Sequence, residues 1–467
     1  MSSGAIPVEL GTKPIGALLK QYAVPGIIAM TASSLYNMVD SIYIGHIADV
    51  GSLSIAGLAV TFPLMNISTA FGTLVGVGAA TMISVLLGQK NYGAAQKVLC
   101  NDVTLNLITG VIFTIVSLLW MDPILRFFGA SDATLPFARE YMTVIALGNA
   151  VTHLYFGLNS IVRSSGNPKL AMGLTLFTVI SNAILDPIFI FTLGMGIRGA
   201  ALATVLCQLM ALCYVMKYFF NQEKLLHFPK ERPFQLDWRI AKDSLAVGMG
   251  PFLMNLASCI VVILINKQLG KYGSDEAIAA YGIVNRITFL FVMVVMGFNQ
   301  GMQPIAGYNY GARQYSRVRQ VYLRTALWAT VVVTVGFCVS MFTPDLAAGI
   351  FTSNPVLQGM AADGLRMMNC VFPIVGFQMV TTNLFQCLGM VGKSIFLSLS
   401  RQLLFLLPCI YFLPEMLGGS VNGVWYSFPI SDTVAALVTG ILAIRLIRKL
   451  GALKDGDSPA SLGSTIQ

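Results

Sequence analysis

Two aspartates sit inside stretches that otherwise read as apolar helix. In YNMVDSIYIGH, Asp40 follows Tyr36 by four residues, and in ISNAILDPIFIF, Asp186 follows Asn182 by four. Each pair therefore shares one helical face. Pro187 removes a backbone donor and disturbs the turn before it, which frees carbonyl oxygen for a ligand. Thr204 adds a hydroxyl in the next apolar stretch. These are hard oxygen ligands, suited to a monovalent cation or a proton. Two carboxylates brought together out of water cannot both stay ionised cheaply, so a proton or a cation is expected between them.

The elements that must position these groups are membrane-spanning helices. The chain has 467 residues, 56% hydrophobic and 10% charged, whereas a soluble domain carries about 25% charged residues to cover its surface. Apolar windows fall near 17–44, 54–87, 101–121, 135–161, 170–192, 199–220, 245–270, 278–305, 320–343, 360–386, 394–413 and 421–447, each reaching the ~20 residues a span needs and several exceeding it, so that tilting, kinking or projection beyond the lipid is expected. An Asp near the middle of such a span costs roughly 2.5–3.5 kcal/mol on insertion scales, so a transport pathway is the default reading. The stretch from Met1 to Lys20 is polar and mixed, and no cleavable signal peptide is expected.

Most of the 29 Lys and Arg fall on one side of this span pattern, which predicts a multi-pass protein of the cytoplasmic (inner) membrane with both termini in the cytoplasm. The formal charge of +9 is then topological, and a nucleic-acid partner is not expected. The eight cysteines are scattered, without C-x-x-C, so neither a disulfide framework nor a zinc site is expected. His46, His153 and His227 have no metal-ligand partner at helical spacing.

The chain repeats itself. Asn159, Lys169, Gly194 and Gly199 recur as Asn383, Lys393, Gly418 and Gly423; NYGA at 91–94 recurs at 309–312, and Pro25 matches Pro251. Six spans per half return the chain to the same side, giving a parallel repeat. The expected division is an N-terminal six-helix lobe over 1–220, a polar cytoplasmic linker over 221–241, a C-terminal six-helix lobe over 242–450 and a cytoplasmic tail over 451–467. The halves differ where the chemistry lies: Leu406, Ile410 and Phe428 stand where the first half has Asn182, Asp186 and Thr204. A third intramembrane carboxylate, Asp432, either lines a cavity or pairs with Arg401. Arg286 either lines the cavity or snorkels.

YNMVDSIYIGH, GQKNYGAAQ, RSSGNPK and SNAILDPIFIFTLGMGIRGAALAT resemble the MATE (multidrug and toxic compound extrusion) transporters, most closely their DinF-like, MepA-like bacterial branch, over about residues 13–450. The resemblance implies an all-α membrane protein of twelve helices in two six-helix lobes. It implies cation-coupled export of amphipathic, mostly cationic organic compounds. The branch's Na⁺ or H⁺ coupling site falls on Asp40, Asn182, Asp186 and Thr204, with Tyr36 beside them; if Na⁺ is the ion, the first four are its ligands. Pro25 matches the branch's first-helix bend, and its missing donor to the Gln21 carbonyl makes that turn a place to bend. A second branch uses carboxylates in spans seven and ten; here span seven has no acid, which favours the N-terminal half.

The expected function is a multidrug antiporter with small organic cations as substrates, the bilayer as its medium, no cofactor beyond Na⁺ or H⁺, and no obligate protein partner. The alternative is a lipid-linked glycan or lipid flippase of the same superfamily, whose pyrophosphate cargo would call for several intramembrane cations. The chain has no H-E-x-x-H, G-x-S-x-G or G-x-x-x-x-G-K-[ST] in a suitable context, so an enzyme is not expected.

Overall fold

The computed structural model describes residues 9–47, 51–229, 234, 236–352 and 354–457. Residues 230–233 and 235 of the expected linker, and 458–467 of the expected tail, lie outside the described residues. All regular structure among the described residues is helical. In lipid every backbone N–H and C=O must be bonded within the chain, and a helix does this locally.

The helices are α1 (Glu9–Thr12), α2 (Ile15–Gly45), α3 (Gly51–Gly88), α4 (Tyr92–Leu119), α5 (Met121–Phe127), α6 (Leu135–Ser164), α7 (Pro168–Pro187) and α8 (Ile197–Phe220). After the linker come α9 (Trp238–Tyr272), α10 (Asp275–Gly311), α11 (Tyr315–Phe342), α12 (Pro344–Gly349), α13 (Pro355–Met368) and α14 (Phe372–Cys387). The chain closes with α15 (Val391–Leu399), α16 (Leu407–Met416) and α17 (Asn422–Ala452). Short π-helical segments, Ile188–Thr192 and Ser400–Leu406, follow α7 and α15. Among the described residues ten helical stretches are long and apolar enough to cross a membrane, and α13 with α14, bent by 58°, make an eleventh if the two form one span. The 30-residue α6 has the length of a twelfth. Its Asn149 and His153 lower its apolarity, and both are buried against neighbouring helices rather than facing lipid.

The chain forms two compact units. Among the described residues, unit 1 holds Glu9–Thr12 and Ile28–Phe252, and unit 2 holds Lys13–Ile27 with residues 253–457. Pro25 lies inside α2, which is helical throughout, and Pro251 lies inside α9. In unit 1 an apolar core runs through Ile44, Leu64, Phe113, Tyr141, Met142, Ile190 and Ala200. Unit 2 has its own core around Ile265, Tyr281, Leu365, Leu406, Ile410 and Phe428. Of the linker, Phe228 packs on Phe219 and Phe220 of α8, and the backbone N–H of Asp237 donates to Asn101 Oδ1 at 2.9 Å.

The repeat is visible in backbone conformation. After α3, Lys90 adopts φ 60°, and the Lys90 and Asn91 N–H groups donate to Leu87 and Leu86 carbonyls. After α10, Arg313 adopts φ 56°, and Arg313 and Gln314 donate to Tyr310 and Asn309. Gly88 and Tyr92 thus correspond to Gly311 and Tyr315. This corrects the pairing of the two NYGA strings: the first opens α4, whereas the second closes α10. Helix ends, set by the left-handed residue that stops them, define the register better than four matching letters. Gly194 and Gly418 both have positive φ, as the sequence pairing requires.

Candidate functional site

The site is built within unit 1 from three helices. Tyr36 and Asp40 come from α2, Asn182 and Asp186 from the last turns of α7, and Thr204 from α8. Pro187 has no N–H for the Ala183 carbonyl. Past it the ladder changes step: Ile188 N–H donates to Leu185, and the π-helical turn closes with Leu193 N–H on Ile188 O. Such turns are found where a side chain has to be aimed, and this one follows Asp186 directly.

Hydrogen bonds orient the site through Thr204. Its hydroxyl donates to the Ala200 carbonyl at 3.1 Å, so it accepts from its other partners. The Tyr36 hydroxyl reaches it at 2.8 Å, and Asn182 Nδ2 donates to it at 3.2 Å. The amide of Asn182 also lies beside the Asp186 carboxyl, and its Oδ1 is buried without a hydrogen-bond partner among the described residues.

Asp40 and Asp186 stand against each other within hydrogen-bonding reach. They are 5% and 0% exposed. Asp40 Oδ1, both oxygens of Asp186, and Asn182 Oδ1 are buried without a well-formed hydrogen bond among the described residues, the Asn182 amide being a neighbouring donor of Asp186. A buried acceptor without a donor costs about 1–3 kcal/mol, and more when charged. Clustered acceptors of this kind fit a cation or a proton: Asp40, Asn182, Asp186 and Thr204 can offer oxygens to Na⁺, and the carboxyl pair can share H⁺.

All five residues picked from the sequence are thus brought together in one unit. Two neighbours were not picked. Tyr141 of α6, almost fully buried, interacts with Asp40, Tyr36 and Asp186; no spacing within its own span points to it. Cys207 stands beside Asp186, and its place three residues after Thr204, one turn on, was a legible signal.

Unit 2 is different at the corresponding places. Leu406, Ile410 and Phe428 are all members of its apolar core. Asp432 is elsewhere in that unit: Arg401 Nε donates to its Oδ1 at 2.7 Å, which decides between the two readings of this carboxylate in favour of the ion pair.

A family model, MatE, matches the chain twice, over residues 25–188 and 250–412. The chain belongs to the MatE family. The two matches coincide with the two halves of the repeat, and the membership places it among transporters rather than enzymes. Curated MatE-family relatives include the Multidrug export protein MepA of Staphylococcus saprophyticus, 27% identical over 432 residues, covering 92% of this chain and 93% of that protein. MepA of Staphylococcus aureus is 27% identical over 438 residues, covering 93% and 94%. Among solved structures, a MATE in the bent conformation is similar with a TM-score of 0.89 at 26% identity, over 96% of this chain and 99% of that one. A MOP superfamily transporter from Pyrococcus furiosus, described as having a binding pocket of reverse polarity, has a TM-score of 0.89 at 26% identity, over 96% and 100%.

Proposed function

We propose that this MatE-family chain is a cation-coupled multidrug exporter, in which Na⁺ or H⁺ bound at Asp40 and Asp186 drives the release of amphipathic, mostly cationic compounds. One observation carries the reading: unit 1 holds a buried cluster of acceptor oxygens short of hydrogen-bond donors, and unit 2 fills the equivalent places with Leu406, Ile410 and Phe428. The similarity to proteins named for multidrug export supports the substrate class.

The chemistry follows from the residues. With neither ion nor proton between them, the two carboxyls repel, and the helices that carry them, α2 and α7, are disfavoured from approaching. Na⁺ offers a charge that Asn182 Oδ1 and Thr204 can help to surround. A proton offers a hydrogen bond between the two carboxyls. Either one stabilises the same approach of α2 to α7, so either can serve. A bound ion shifts an equilibrium only by its differential affinity for the two states, and a substrate that prefers the other state is released as the ion binds. The basic excess on one side supports a cytoplasmic-membrane location with both termini inside. A flippase for pyrophosphate-linked lipids fits less well, since such a cargo calls for several intramembrane cations and one of the few here, Arg401, is already paired with Asp432.

The test is ethidium efflux from proteoliposomes under an imposed Na⁺ gradient and, separately, an imposed pH gradient. At least one gradient should accelerate efflux about tenfold in the parent and leave the Asp40→Asn variant unmoved. Efflux indifferent to both gradients, or translocation of a pyrophosphate lipid in its place, would refute the assignment.

A further inference from the structure

Unit 1 holds a second buried carboxyl that the site above does not use. Asp102 and Asn106 lie four residues apart on α4 and are 1% and 0% exposed. Asn106 Nδ2 donates to Asp102 Oδ1 at 3.0 Å. The other two acceptors of the pair, Asp102 Oδ2 and Asn106 Oδ1, are buried without a donor among the described residues. Across from them α6 presents Gly157, where a Cβ would lie 2.3 Å from Asn106 Nδ2 and 2.7 Å from Asp102 Oδ2. The pair therefore rests on bare backbone, with no room for a third side chain at that point.

No cation among the described residues offsets the charge an ionised Asp102 would have. On α6, His153 turns its Nε2 to Ser68 at 3.0 Å, and Arg163, six residues beyond Gly157, donates from Nη2 to Ser160 Oγ at 3.4 Å. On α3, the residue against Gly157 is Gly76. On the first turns of α9, Arg239 and Lys242 are exposed and Asp243 is half-buried. On α4 itself, Lys97 is exposed, and Cys100 is a buried thiol. Of all these groups, only Asn106 interacts with Asp102.

Two unpaired acceptors on adjacent side chains have one simple remedy. A single proton on Asp102 Oδ2 donates to Asn106 Oδ1 while Asn106 Nδ2 continues to donate to Asp102 Oδ1. The result is a closed acid–amide ring in which both orphan atoms are satisfied at once, and the proton is taken from water without any other bond changing. We propose that Asp102 and Asn106 form a second proton-binding site of unit 1, separate from Asp40 and Asp186, that keeps its proton when the first site exchanges its ion. The inference does not depend on which ion drives transport.

Infrared difference spectroscopy on the full-length purified chain tests it. In an Asp40→Asn, Asp186→Asn background at neutral pH, a protonated-carboxyl carbonyl band should be present, unaffected by NaCl, and lost on adding Asp102→Asn. Asparagine at 102 puts an N–H where the acid O–H stood, so this variant keeps the ring and the fold. Asn106→Leu gives a second reading, since opening the ring should move the band to the higher frequency of a free acid. Identical spectra with and without Asp102→Asn, a band unmoved by Asn106→Leu, or a band that disappears on adding NaCl would each overturn the proposal.

Discussion

At the scale of residues, the contrast between the units gives a direct comparison. Asp186 and Ile410 are both fully buried, and they occupy repeat-related places, yet one is a carboxyl in a polar cluster and the other part of an apolar core. Replacing Asp186 with Asn should reduce gradient-driven efflux at least tenfold with expression near normal. Ile410→Val removes one methylene and should cost about 0.5–1.5 kcal/mol of stability with transport retained. Dye efflux and melting temperature, measured on both variants, check the pair of outcomes. The pairs at 36/40 and 182/186 were legible in the sequence because helical spacing alone places them on one face. Tyr141 was not, because it reaches the site from a helix whose own pattern offers no partner. Asp102 was missed for another reason: it lies at the edge of an apolar window, where a charge reads as the end of a span.

At the scale of elements, twelve apolar windows anticipated the helices, including α6, whose polar residues are accommodated by burial in unit 1. The bend between α13 and α14 was not legible, since a single window at 360–386 covers both. Two glycines show how the repeat operates in packing. A Cβ on Gly199 would lie 2.7 Å from the Phe189 carbonyl carbon, and one on Gly423 would lie 2.4 Å from Pro414 Cα. In both units the helix after the fifth span closes onto backbone just before it, and backbone cannot rotate away as a side chain can. Gly199→Val and Gly423→Val should each destabilise by about 1–3 kcal/mol or more. Their melting curves in detergent should both fall, while Gly173→Ala, at a position with open space around it, should fall little.

At the scale of the whole molecule, the proposed exchange has a thermodynamic signature. If cation and drug prefer different states, each must weaken the other by the same factor. Raising Na⁺, or lowering pH, should reduce drug affinity of the solubilised protein, and drug should reduce cation affinity equally. Titration calorimetry in both orders measures this, and Asp40→Asn should flatten both dependences. A drug affinity constant across wide ranges of Na⁺ and pH would be incompatible with coupling through this site.

The ion pair of Arg401 with Asp432 has an electrical consequence. Its charges cancel, so the membrane voltage does no net work on it when the two move together through the same potential difference. The Asp40–Asp186 pair has no such internal counter-charge, and whatever neutralises it from solution carries charge into the field, at about 2.3 kcal/mol per elementary charge for each 100 mV. Efflux by vesicles should therefore respond to an imposed voltage whenever more cations enter than drug charges leave. That response should disappear in Asp40→Asn. It should survive the paired replacement of Arg401→Gln with Asp432→Asn, because removing two opposite charges leaves the current carried per cycle as it was.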